Sequence, residues 1–378
     1  MSFICTDQGA SNTRFIVNNG KVCVNPNNAV VVEQDADIRL IPNSSDILDN
    51  LDVTIVKTEG ESDYFPIRVL MGSMAERYSS SNIRPSMMMN KAKQQINYIS
   101  IIVACAVGQI QNNVSDPIKL FINLPPIEIK ENEDYVKEQL LGKYTVTFNK
   151  SNEKTDLNIE FVKVCPESVM AVFAFFFKSD GSPRVESAKY SRGYVLGIDI
   201  GASTSDLVLV KDRKFVDRTG YTYKIGGNVI TDIMRSKVRS IYGSELTDDD
   251  ANTVITEGRL PYGSKYKDMS KELVEAKKEF ADLLYEKMNS YFGTVDISLP
   301  SIKAIFVSGG GSMKSRYYDD EQTKEVITSE SVSYYLTEKL KGICDGIDIM
   351  EFPGDNPRMT NIIGTALTAN VMKNKLES

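Results

Sequence analysis

The sequence predicts an α/β fold of two similar lobes, and three observations carry that expectation. A strand, an Asp-x-Gly turn, a return strand, a second turn and a third strand occur around Asp7 and again around Asp199, the mark of an internal repeat. Strands alternate with apolar stretches of helical length. The 378 residues, 42% hydrophobic and 25% charged, suffice for two or three cores at about 150 residues per domain.

In the first half, Phe3 to Cys5 reads as a strand, Asp7-Gln8-Gly9-Ala10-Ser11-Asn12 as its turn and Arg14 to Val17 as the return strand. Asn18-Asn19-Gly20 is a hairpin signal, and Lys21 to Val24 the third strand. Residues 33–92 are polar and turn-rich and read as a small inserted subdomain. Ile96 to Ile110 has the length and apolar content of a buried helix. Ile118 to Asn123 is a strand stopped by Leu124-Pro125-Pro126, Asn132 to Leu141 a short helix, and 143–164 two strands turning at Lys150 to Lys154. Pro166-Glu167 opens an apolar helix that ends near Phe177. Ser179 to Gly193, polar and holding Gly181 and Pro183, is the predicted domain boundary.

The pattern then restarts. Tyr194 to Asp199 is a strand, Gly201-Ala202-Ser203-Thr204 a turn, Leu207 to Val210 the return strand and Lys214 to Tyr223 a third strand after the Asp212-Arg213 turn. Gly226-Gly227-Asn228 starts a helix, 270–291 is a long amphipathic helix, and Lys303 to Val307 a strand leading into Ser308-Gly309-Gly310-Gly311-Ser312. A final helix holds Asn361 to Val371.

Composition excludes several chemistries. The chain has no histidine, which removes Ser-His-Asp and Cys-His nucleophile systems, His metal ligands and imidazole shuttles. Its net charge of −7 disfavours direct binding of nucleic acid, where neutralisation of phosphate by Lys and Arg dominates affinity. The five cysteines are scattered, without a C-x-x-C, and read as reduced thiols of an intracellular protein. The most apolar run, Val169 to Phe177, falls short of the ~20 residues of a membrane span. With no signal peptide at Ser2 to Thr6, a cytoplasmic location free of membrane is expected.

The two Asp-x-Gly turns are where chemistry is expected. A turn of Gly and small residues points several backbone N–H groups at one spot, which suits a phosphate. The carboxylate ending each strand, Asp7 or Asp199, would face a divalent cation, and Arg14 could reach phosphate oxygens. Alone, each turn reads equally as a plain hairpin. Gly309-Gly310-Gly311 follows a strand and permits close approach of a flat ligand. Neither a P-loop nor a Rossmann G-x-G-x-x-G is present.

Taken together and in this order, these elements resemble the actin–Hsp70–sugar kinase superfamily over nearly the whole chain. Asp7 to Arg14 is similar to its first phosphate motif, Asp199 to Asp206 to its second, and Val307 to Ser312 to its adenosine motif. Leu124-Pro125-Pro126 and Asn361-Ile362-Ile363-Gly364-Thr365-Ala366 are similar to its connecting motifs. Val162-Lys163-Val164-Cys165-Pro166-Glu167-Ser168 resembles the segment that carries the catalytic glutamate in bacterial actin-like proteins of the ParM type, which segregate plasmids. Met71 to Arg77 also resembles a segment of relatives, and Arg14 stands where relatives often carry Lys.

The resemblance implies an actin-like, ribonuclease H-like fold with two duplicated lobes around a nucleotide cleft: lobe I over 1–180 with the insertion at 33–92, lobe II over 190–359, and a helix over 360–378 packing back on lobe I. It implies ATP, or GTP in its place, with Mg²⁺ held by Asp7 and Asp199. The nucleotide would contact Gly9, Ala10, Ser11, Asn12, Arg14, Gly201, Ala202, Ser203, Thr204, Gly309, Gly310, Gly311 and Ser312. Gly226, Gly227 and Asn228 are expected near the nucleoside, although the same residues read as a turn with an N-cap. Glu275 and Lys278 are also expected there, although they suit a solvated helix face. Glu167 is the expected catalytic residue, against a second reading as an acidic group in the first turn of a helix. Met87-Met88-Met89 reads as a subunit contact or as packing.

The implied function is a nucleotide-hydrolysing filament that drives plasmid segregation, with the chain itself and a separate DNA-binding adaptor of the ParR type as partners. A small-molecule kinase of the same superfamily and an MreB-like cell-shape actin are the alternatives. An Hsp70-like chaperone fits less well, because only a few residues follow the last helix.

Overall fold

The computed structural model describes residues 2–10, 12–18, 20–38, 48, 51–77, 90–112, 114, 117–178, 180–319, 322–344, 346–352 and 356–376. It divides into two compact units, one of 1–170, 177–182 and 361–378, the other of 171–176 and 183–360.

Unit 1 is built on strands β1 (Ser2–Gln8), β2 (Asn12–Val17), β3 (Cys23–Pro26), β4 (Ala29–Val32), β5 (Asp52–Glu59) and β6 (Ile67–Met71). The short helix α1 (Ser73–Glu76) and the long α2 (Gln95–Asn112) follow, then β7 (Ile118–Leu124), α3 (Pro126–Leu140), β8 (Gly142–Phe148) and β9 (Glu153–Pro166). One sheet takes all nine strands in the order β3-β2-β1-β7-β9-β8-β5-β6-β4. β1, β7 and β9 run parallel, with apolar runs at Phe3 to Cys5 and Leu120 to Ile122 where the strands are covered on both faces. α2 is buried nearly all round, with Ile99, Val103 and Val107 packed against Ile4, Phe15 and Leu120 of the sheet. Such a helix is held by its core and not by an amphipathic stripe.

α4 (Val169–Phe176) begins in unit 1 and ends in unit 2. Unit 2 continues with β10 (Tyr194–Ile200), β11 (Ser205–Lys211), β12 (Lys214–Phe215), β13 (Tyr221–Tyr223), α5 (Gly227–Tyr242), α6 (Asp248–Glu257), β14 (Arg259–Tyr262) and β15 (Lys265–Asp268). Then come α7 (Ser270–Val295), β16 (Ile302–Ser308), β17 (Ser315–Asp319), β18 (Lys324–Ser329), α8 (Val332–Leu340) and β19 (Asp348–Glu351), before α9 (Thr360–Leu376) returns to unit 1. The main sheet runs β12-β11-β10-β16-β19, with β13 also on β11, while β14-β15 and β17-β18 form two separate hairpins. Leu196, Met234, Phe280, Leu284 and Ile305 lie in its core.

The repeat read from the sequence is therefore repeated topology. In each unit an antiparallel hairpin is followed by two parallel strands on its first member, β1-β7-β9 and β10-β16-β19. The chain is a mixed α/β protein of duplicated architecture.

Several expected boundaries shift. The third strand starts at Cys23 and not Lys21, because the turn is longer than the Asn18-Asn19-Gly20 signal. α3 starts at Pro126 and not Asn132: proline at the first helical position has no N–H to lose and a φ already suited to the helix. The strand expected over Lys214 to Tyr223 breaks into β12 and β13, with Arg218 at φ 64° between them. Within 33–92, β5 and β6 are continuous with the main sheet through β8. α6, α8, β19 and both small hairpins were not anticipated, being short.

Gly364 fixes how α9 lies on α4. A Cβ at this position would stand 1.9 Å from the backbone oxygen of Met170, which has no rotamer to escape into. Gly364→Ala should lower stability by about 1–3 kcal/mol through overpacking, despite the ~1 kcal/mol gain in helix propensity. A urea titration gives the sign, and an unchanged or raised midpoint would contradict the close crossing.

Candidate functional site

In parallel sheets, ligands bind beyond the carboxyl ends of the strands. Three adjacent strand ends of unit 1 gather polar groups there. Asp7 closes β1, Asn123 closes β7, and Glu167 directly follows β9. Asp7 is 5% exposed, with Oδ1 accepting from Asn123 Nδ2 at 3.2 Å and Oδ2 facing Arg14 Nη1 at 3.4 Å. The Asn123 amide oxygen takes the hydroxyl of Thr365 at 2.6 Å, and the Ser168 N–H donates to Asn361 Oδ1 at 3.0 Å. The second connecting motif thus anchors the polar floor of unit 1.

The β1–β2 turn is closed by the Gly9 N–H donating to the Asn12 oxygen at 2.9 Å, and Asn27 Nδ2 donates to the Gly9 oxygen at 2.6 Å. Arg14 folds over this turn, its Nη1 3.1 Å from where a Cβ on Gly9 would stand. Ala10 is exposed at the tip, whereas Ser11 lies outside the described residues.

Glu167 is buried and sits in the turn between β9 and α4, not in the first turn of the helix as expected. Its N–H donates to the Leu124 oxygen at 2.9 Å, and Ser168 beside it takes φ 61°. A macrodipole role is weakened by this placement. Its carboxylate is paired with the Lys91 ammonium, a residue that the sequence reading did not single out. Burial pushes the Lys91 ammonium down, but the carboxylates of Glu167 and Asp7 outweigh it and hold the group above the usual lysine range. Glu128 fixes the Lys91 backbone: its two carboxylate oxygens accept from the N–H groups of Lys91 and Ala92, each at 3.0 Å.

Unit 2 repeats the arrangement. Asp199 ends β10 and lies opposite Ser308 of β16, whose hydroxyl donates to Asp199 Oδ1 at 3.2 Å. The turn is closed by the Gly201 N–H donating to the Thr204 oxygen at 2.8 Å, the counterpart of the Gly9–Asn12 bond. Two predicted segments, Gly226–Asn228 and Gly309–Ser312, converge on it. The Gly227 N–H donates to the Gly201 oxygen at 2.9 Å, and that of Asn228 to the Ala202 oxygen at 2.7 Å. A Cβ on Gly226 would meet Ser203 N at 2.6 Å, and one on Gly311 would meet the Ile200 side chain at 2.5 Å. Gly309, at φ 89°, has no room for a Cβ, which would stand 2.4 Å from both Asp199 Oδ1 and the Ile200 oxygen. A tight seam of glycine backbone is the result, with Ser312 donating back to the Gly309 oxygen at 2.7 Å.

Glu275 and Lys278 lie on the exposed face of α7. Glu275 pairs with Lys237 of α5 at 3.0 Å, which pulls its carboxyl below the usual range, and Lys278 lies 5.9 Å from the Tyr335 ring. The two residues between them, Ala276 and Lys277, point inward. Lys277 is 2% exposed and donates to the Met313 oxygen, one residue beyond the glycine loop. Met87, Met88 and Met89 fall outside the described residues.

Among the described residues no group of three or more Asp, Glu or Cys side chains is arranged to hold a metal ion. One or two carboxylates per unit suit an ion that keeps most of its shell as water or phosphate oxygen. No described helix is long and apolar enough to cross a membrane.

Two family models match the sequence: "Actin like proteins N terminal domain" over residues 6–169 and "Archaeal actin homologue MreB-like, C-terminal" over 197–316. No curated protein matches it. Among solved structures, the chain is similar to the actin-like protein Alp7A (16% identity, 99% of this chain and 97% of that one, TM-score 0.71). It is also similar to the subunit of a 15-stranded ParM filament from Clostridium botulinum (21%, 98% and 99%, 0.67). A third likeness is to Bacillus thuringiensis ParM with AMPPNP (15%, 99% and 99%, 0.66).

Gly309 combines a positive φ with backbone contact, whereas the atoms nearest to a Cβ on Gly310 belong to the flexible side chain of Arg358. Gly309→Ala is expected to cost about 1–3 kcal/mol of stability, and Gly310→Ala clearly less. Chemical denaturation of both variants checks the order, and equal losses would contradict the packing of this loop.

Proposed function

We propose that this chain, an actin-like protein over both of its units, binds and hydrolyses ATP (or GTP in its place) with Mg²⁺ and assembles with copies of itself into filaments. The observation that carries the reading is the pair of Asp-x-Gly turns, each at the carboxyl end of its central strand and each closed by the same backbone hydrogen bond. Gly9, Ala10, Ser11, Asn12 and Arg14 in one turn and Gly201 to Thr204 in the other supply N–H groups and a cation for phosphate. Gly226, Gly227, Asn228 and Gly309 to Ser312 take the nucleoside, the glycines giving its flat ring access to the backbone. Glu275 and Lys278 are assigned to the edge of that region.

Asp7 and Asp199 are the carboxylates assigned to the ion. Mg²⁺, when bound with the nucleotide, would neutralise charge on the transferring phosphate. Glu167 orients or deprotonates the attacking water, a task worth ~10²–10⁴ in rate for a positioned base. Lys91 holds that carboxylate in place and compensates its charge.

We read the filament's task as plasmid segregation in the cytoplasm, through a separate basic adaptor of the ParR type. Support comes from the likeness to ParM structures and from the chain's net charge of −7.

Glu167→Gln should bind nucleotide and still raise light scattering on addition of ATP and Mg²⁺, while phosphate release falls by ~10²-fold or more. Release within twofold of the parent protein would remove Glu167 from the mechanism. For the adaptor, the purified chain should not retard duplex DNA at physiological salt, with or without ATP. Tight binding that weakens steeply with salt would replace the adaptor with direct contact.

A further inference from the structure

The inward face of α7 carries an ammonium where the helix pattern calls for an apolar residue. Lys277 lies in a row of buried Leu273, Ala276, Phe280 and Ala281. Its three N–H donors meet three acceptors: the Met313 oxygen at 2.9 Å, Ser315 Oγ at 2.8 Å and the Glu330 oxygen at 3.0 Å. Ser315 in turn donates to the Ile255 oxygen of α6. A buried ammonium is tolerable only when its donors are satisfied in this way. Two carboxylates face it: Glu330, paired with Lys314 at 2.7 Å, and Glu351, which accepts from Ser331.

The location of the first acceptor gives the lysine its meaning. The loop Gly309–Ser312 enters from β16, where the Gly309 N–H donates to the Pro357 oxygen at 3.1 Å, and the Ser312 hydroxyl donates back to the Gly309 oxygen. Met313 is its exit, and Lys277 ties that exit to α7, β17 and the start of α8 at once.

We propose that Lys277 is a positioning residue for the nucleoside half of the nucleotide site, fixing the exit of the glycine loop from behind without touching the ligand. The proposal rests on the nucleotide reading above. Loss of the tie lets the loop move away from Gly201 and Gly227, which it abuts through Gly311. Recognition of base and sugar then weakens, while the hairpin turns that take phosphate are left as they were.

The test uses the full chain with Lys277→Met, which keeps the length of the side chain and removes its donors. ATP and inorganic tripolyphosphate, each with Mg²⁺, are titrated against both proteins. ATP should bind at least tenfold more weakly to the variant and tripolyphosphate within twofold of the parent, with phosphate release at saturating ATP also within twofold. Unchanged ATP affinity, or an equal loss for both ligands, overturns the proposal, the latter because it signals a general structural defect. Should the parent protein bind neither ligand, the nucleotide reading itself falls and takes this one with it. If Lys277→Met shows no cooperative thermal transition, Ser315→Ala, which removes one acceptor, should give the same split at about threefold, and no split there overturns the assignment.

Discussion

A buried carboxylate is the constraint around which unit 1 is organised. Asp7 is almost wholly removed from water, and an isolated buried carboxylate would cost several kcal/mol. It is tolerated because four elements converge on it: Arg14 across the hairpin, Asn123 from β7, Thr365 of α9 behind Asn123, and the Lys91 ammonium through its attraction. The fold of Arg14 back over the turn and the Thr365 hydroxyl on Asn123 both serve to keep that charge satisfied.

The two repeats share a frame and differ in charge. The cross-strand partner of Asp7 is Arg14, whereas the partner of Asp199 in the same register is Asp206. Like charges directly opposite one another destabilise a hairpin unless something answers them. In unit 2 the answering groups include hydroxyls, Ser308 for Asp199 and Thr222 for Asp206. The position of the turn is thus the same in both units, while the residue opposite its aspartate is arginine in one and aspartate in the other.

Much of this frame was legible in the sequence because it is written in short-range signals. Apolar strands interrupted by Asp-x-Gly, and three glycines after a strand, specify their own local geometry, whereas the convergence of Gly201–Thr204, Gly226–Asn228 and Gly309–Ser312 was expected only from the family resemblance. Lys91 and Lys277 were not legible. One lies in a polar segment 76 residues from the carboxylate that it meets, and the other is a lysine among helix charges that normally face water. Only the tertiary structure decides that Lys277 points inward while its neighbours Glu275 and Lys278 do not. The start of α3 was hidden for another reason, since a proline pair stops a strand and opens a helix equally well.

The path of α9 bears on how the protein is made. Unit 2 is one nearly continuous stretch of chain, but unit 1 takes its last pieces from beyond residue 360. Translation delivers residues from the N-terminus onward, so the nine-stranded sheet emerges long before Asn361 and Thr365 exist to support Ser168 and Asn123. Until then Asp7 is a carboxylate with part of its support missing. The floor of the unit 1 site is therefore completed only after unit 2 has been made, and a ribosome-bound chain lacking α9 would not yet have a finished site.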